Sequence, residues 1–114
     1  NMWPLKNTDK VLTNAEILRI VETEQVFAKQ FDPGISNPPS KLADKDKPLE
    51  QWLVFMQRYL NRAIDNTTVN FQPDKALEDL RIVLSLGFNA ARHHGLPERQ
   101  FFKAGFYRRE NNYE

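Results

Sequence analysis

The chain has 114 residues with 16 basic and 15 acidic side chains, a net charge of +1; it fits one domain with a modest core that pairing with a second copy would help. That balance argues against a general nucleic-acid binder, which would carry a strong basic excess. With no cysteine a disulfide framework or thiolate metal site is excluded, and having only two histidines, adjacent to each other, argues against a multi-histidine metal site.

A helix start is written at Thr13 and Glu16, a capping box in which each side chain bonds the other residue's backbone N–H. From there Ile17, Ile20, Val21, Phe27, Ala28 and Phe31 recur on one side, predicting a helix over 14–31 that "DPG" at 32–34 stops. The stretch 32–47, "DPGISNPPSKLADKDK", reads as a long loop that Leu42 or Ile35 could pin to the body. A second helix is predicted over 47–65, with Leu49, Trp52, Leu53, Met56, Tyr59, Leu60, Ala63 and Ile64 on one side and polar residues on the other. Pro48 suits its first turn.

After "NTTVNFQ" a third helix is predicted over 73–94, closed by Gly95, Leu96 and Pro97. Its main apolar stripe is Leu77, Leu80, Leu84, Phe88 and Ala91, and a second one is Ile82, Leu86 and Ala90. A helix apolar on two sides is covered on two sides, so the second stripe is expected to meet another subunit, with Gly87 and Ala91 admitting a close backbone. The tail 96–114 mixes Phe101, Phe102, Phe106 and Tyr107 with Lys103, Arg108 and Arg109. It could stack on a base, with the arginines on phosphate, but docking within or between subunits is the favoured reading of four aromatics. The fold class is therefore all-α, an up-down bundle of three main helices with a long 32–47 loop and an aromatic-basic tail, inclined to oligomerise.

Glycine-rich phosphate loops, a Walker lysine motif, GxSxG and HExxH are all absent. Glu24 is the one helical carboxylate that periodicity clearly turns inward, and Glu22 lies about 160° from it. Glu78 flanks the main stripe of the third helix and Asp79 points further away. The favoured reading of Glu24 is an ion pair with Arg81. His93, His94 and Arg92 complement the C-terminal end of the third helix's dipole.

"PLEQWLVFMQRYLNRAI" followed by "DKALEDLRIVLSLGFNAARHHGLP" resembles the helix pair of small MazG-like proteins, in the all-α nucleotide pyrophosphohydrolase group. The likeness lies in Trp52, Tyr59 and Ala63, then in Asp79, Leu80 and Arg81 opening a helix rich in small residues. The resemblance implies dimers or tetramers of such helices and Mg²⁺-assisted hydrolysis, with metal held by ExxE and ExxD pairs. This chain departs from those pairs: Glu50 is followed three residues later by Leu53, Glu78 by Arg81 and Asp79 by Ile82.

Two readings follow. The first is a non-catalytic, homo-oligomeric helical binding protein without a cofactor, whose anion contacts for a small nucleotide-like ligand would be Arg81, Arg92 and Arg108. The alternative is a divergent Mg²⁺-dependent nucleoside triphosphate pyrophosphohydrolase in which Glu24 and Glu78 bind the metal. No apolar run approaches the roughly 18–20 residues of a membrane span, and "NMWPLKNTDK" lacks the apolar core of a signal peptide. Cytoplasm is the expected compartment, without a membrane or nucleic-acid partner.

Overall fold

A computed structural model describes residues 10–31 and 42–100. They form three α-helices, α1 (Asn14–Lys29), α2 (Leu49–Thr68) and α3 (Pro73–His94), with a short 3₁₀ turn at Asp44–Asp46 ahead of α2. There is no strand among the described residues.

The start of α1 is held as its sequence dictates. Thr13 Oγ1 accepts from the Glu16 N–H at 3.1 Å, and Glu16 Oε1 accepts from the Thr13 N–H at 2.9 Å. The helix ends two residues short of Phe31, which closes a turn back onto Ala28. Helix α2 begins later and ends later than the pattern predicts. Pro48 is its N-cap residue, with Lys47 outside the helix. At the far end the hydroxyls of Thr67 and Thr68 both donate to Ile64 O at 2.8 Å, and the buried Asn66 is tied to α3. The bond from Asn66 to α3 holds the last turn in a run that local preference alone would leave as loop.

The α2–α3 turn contains Phe71 at φ 56°, a left-handed conformation that side chains other than glycine seldom adopt. Pro73 then opens α3 in its first turn. Gly95, at φ 92°, ends it by donating to Ala91 O at 2.8 Å.

Chain direction follows from the contacts. His94 at the end of α3 meets Lys47 at the head of α2, so these two helices are antiparallel. Glu24 meets Arg81, and Gln25 meets Asn89, so α1 runs parallel to α3. The order is up, down, up, with α3 in the middle. It packs extensively on α2 and less so on α1, while α1 and α2 do not touch among the described residues. The bundle is therefore open rather than closed.

An open bundle has little interior. Among the described residues the buried apolar side chains are Val21, Trp52, Ala76 and Ala90, and the buried polar ones are Lys47, Asn66, Asp79 and Ser85. Within α3 the second stripe, not the main one, meets the protein's own helices. Ala90 is buried and Ile82 and Leu86 are half-buried, whereas Leu77, Leu80, Leu84 and Phe88 are 38–44% exposed. The second stripe, expected to meet another subunit, is thus the more covered of the two within the chain. The reason is that α2 and α1 approach α3 from two directions, and among the described residues no further helix lies over the main stripe between them. Gly87 likewise faces inward, where a Cβ would sit 3.4 Å from Met56 Cε of α2. On α1, Phe27 and Phe31 are 56% and 53% exposed and rest edge-on against each other, 5.5 Å between ring centres, instead of entering the core.

Candidate functional site: an uncovered apolar face across α2 and α3

On α2 the residues turned toward α3 are Trp52, Tyr59, Ala63 and Asn66, all buried or half-buried. A rotation of roughly 110° about the helix axis from that side brings up Leu49, Leu53, Leu60 and Ile64, which are 42–52% exposed. On α3 a rotation of about the same size leads from Ala76, Val83 and Ala90 to Leu77, Leu80, Leu84 and Phe88. Because the helices are antiparallel, both rotations open onto the same side of the hairpin. Eight large apolar side chains thus form one surface, and helical spacing places no Lys, Arg, Asp or Glu among them.

The surface continues toward α1. A groove of about 520 Å³ lies between α1 and α3, lined by Ile17, Ile20 and Val21 on one wall and Leu77, Leu80 and Leu84 on the other. Together the eight leucine, isoleucine and phenylalanine side chains leave on the order of 600 Å² in water, at the upper end of what a monomer exposes in one patch.

Two ion pairs hold the helices in the register that creates this face. Asp79, 2% exposed, is the most buried carboxylate among the described residues. Its Oδ1 accepts from Arg62 Nε at 2.9 Å and Nη2 at 2.7 Å, and its Oδ2 accepts from Asn66 Nδ2 at 3.0 Å. The carboxylate holds the Arg62 guanidinium above its ordinary pKa, and that guanidinium also lies 4.8 Å from the Tyr59 ring centre. Asp79 fastens α2 to α3. Sequence periodicity turned it outward; the signal available was Arg62 and Asn66, four apart on the facing flank of α2. The second pair fastens α1 to α3: Arg81 Nε donates to Glu24 Oε1 at 2.9 Å, with the glutamate side chain only 13% exposed. The inward carboxylate of α1 is thus matched by the arginine its position suggested.

The other residues singled out in the sequence have the following places. Arg81 is engaged by Glu24, and Arg92, three turns further along α3, donates to Asn89 Oδ1. Arg108 lies outside the described residues, as do the tail aromatics from Phe101 onward and Ile35 in the loop. Glu78 is an exposed residue lining the α1–α3 groove. Among the described residues no three His, Asp or Glu side chains come together as a metal would need. No described helix is long and apolar enough to cross a membrane.

At the opposite end of the hairpin the histidines do more than offset a dipole. His93 stacks on Trp52 with ring centres 6.2 Å apart and planes 10° from parallel. His94 Nε2 donates to Lys47 O at 2.9 Å, fixing the head of α2 against the end of α3. Compared with known proteins, the chain matches no family model, no curated protein and no solved structure.

Proposed function

We propose that this protein is a non-catalytic interaction protein that associates with a second copy of itself through the apolar face of the α2–α3 hairpin. The observation that carries the reading is the exposure of the main stripe of α3, the most continuous apolar run of that helix, beside an equally exposed stripe on α2. Two such hairpins laid face to face make a four-helix arrangement and supply the interior that one copy lacks.

The occupant is a second copy on three counts. The face offers on the order of 600 Å² per copy, close to the ~800 Å² per partner of a stable dimer. It is built from two antiparallel helices of similar character, so it is complementary to itself under a two-fold rotation. The net charge of +1 adds no strong repulsion between copies.

The test is the mass of the intact chain by light scattering after gel filtration, followed over dilution. A species at twice 13.4 kDa, or a higher multiple, that dissociates on dilution is the expected result. A mass of one chain at every concentration would overturn the proposal.

A further inference from the structure

A second feature lies on the other side of α3, away from the apolar face. Trp52 is 2% exposed, and its Nε1–H has neither a hydrogen-bond partner among the described residues nor appreciable contact with solvent. A buried indole N–H ordinarily finds an acceptor, and leaving one unmet forfeits the hydrogen bond it made to water. Trp52 also lines a cleft of about 310 Å³ between the C-terminal halves of α1 and α3, the head of α2 and the 3₁₀ turn. That volume is at the small end of the range for ligand sites, roughly 300–1,000 Å³.

The cleft has a defined chemistry. Phe55 and Leu86 give it apolar walls beside the indole. Lys47 and Asp44 provide charge of both signs, and they satisfy each other: Lys47 Nζ donates to Asp44 Oδ1 while lying 5.1 Å from the Trp52 ring centre. Lys47 is itself only 8% exposed, which a cation tolerates because the carboxylate and the aromatic ring replace water. With that pair neutral, the cleft presents flat apolar walls rather than net charge, with the unmet donor buried in one of them. Asn89, at the rim, adds an amide.

We infer that this cleft binds a small, uncharged aromatic molecule carrying a carbonyl oxygen, its ring against Phe55 and Leu86 and its oxygen accepting the Trp52 Nε1–H. Nε1 is closed to solvent, so the side chains over it shift to admit the ligand while the Lys47–Asp44 pair stays closed. The missing acceptor favours a carbonyl over a bare hydrocarbon, and the internally matched Lys47–Asp44 pair favours a neutral ligand over an anion.

The probe is benzamide, with benzoate and ethylbenzene as comparisons, titrated into ¹⁵N-labelled protein carrying Trp3→Phe so that Trp52 gives the sole indole resonance. Benzamide is expected to shift the Trp52 Nε1–H signal saturably downfield and to bind at least tenfold more tightly than either comparison. Trp52→Phe, which keeps a ring in the core, is expected to weaken benzamide at least tenfold by calorimetric titration, with helix content retained. Leu86→Phe, which fills the cleft without adding an indole, is expected to abolish the shift. An indole resonance that does not move up to the solubility limit of benzamide would overturn the inference. So would ethylbenzene or benzoate binding as tightly as benzamide, or a long-lived water already bonded to the indole in the free protein.

Discussion

Leu53 and Val54 are neighbours on α2 with nearly the same exposure, 52% and 53%, yet they point to different sides. Leu53 belongs to the apolar face, whereas Val54 is turned by about 100° toward the side of Arg58, Asn61 and Asp65. Fully burying a leucine contributes roughly 1.5–3 kcal/mol, so covering the exposed half of Leu53 contributes about 1 kcal/mol per copy, counted twice in a symmetric pair. A carboxylate in that place also has to leave water unpaired, at several kcal/mol for each ion. Leu53→Glu is therefore expected to weaken self-association by more than ~4 kcal/mol, about a thousandfold. Val54→Glu, equally exposed but off the face, is expected to change it by no more than about threefold, the range of an ordinary surface substitution. Sedimentation equilibrium on the parent and both variants measures this, with circular dichroism confirming equal helix content. If the two variants shift the dissociation constant equally, or Leu53→Glu leaves it unchanged, the assignment of the interface is refuted.

Three other perturbations probe how the fold holds the face in place. Asp79→Ala strands the buried Asn66 amide while Arg62, whose side chain is 59% exposed, turns to solvent; a loss of about 2–3 kcal/mol in urea unfolding is expected, and a loss below 0.5 kcal/mol would contradict the role given to Asp79. Phe71→Gly relieves a left-handed backbone at a side chain that is 47% exposed, so stability is expected to rise by up to about 1 kcal/mol, and a clear decrease would show that the Phe71 ring matters more than its backbone. The Thr13 N–H, then Lys10, hold the Glu16 carboxyl below its usual pKa. A native pKa below the unfolded one means that the stabilisation is present above the unfolded value and is lost as pH falls through the native one. Hydrogen exchange in the first turn of α1 should therefore quicken, relative to its intrinsic rate, as acid takes the pH below the usual carboxylate range. Glu16→Gln should remove that dependence, and an unchanged acid response in the variant would count against it.

Much of the architecture was legible because the helices carry strong local signals. Thr13 and Glu16 wrote the start of α1, Pro73 and Gly95 bracket α3 within its observed limits, and apolar periodicity placed all three helices. The bond between Glu24 and Arg81 was legible too, since an inward carboxylate on α1 needs a cation and Arg81 stood at the edge of the facing stripe. What periodicity could not rank was which of the two stripes on α3 its own neighbours would take. That depends on the angle at which α1 and α2 approach, a property of the whole packing. Asp79 was misplaced for a related reason: a charged residue was read as solvent-facing, and only the antiparallel pairing brings Arg62 and Asn66 to it. Lys47 was read as the first residue of a helix, and nothing in its neighbours' spacing foretold that it would be buried on Trp52.

The most direct test of the central claim is an isotope-filtered NMR experiment on a mixture of labelled and unlabelled copies, read at the methyl groups of Leu53, Leu60, Leu80 and Leu84. The account predicts intermolecular contacts at these four residues and none at Val54. Intermolecular contacts confined to other surfaces, or none at concentrations where the parent chain sediments as a dimer, would contradict it.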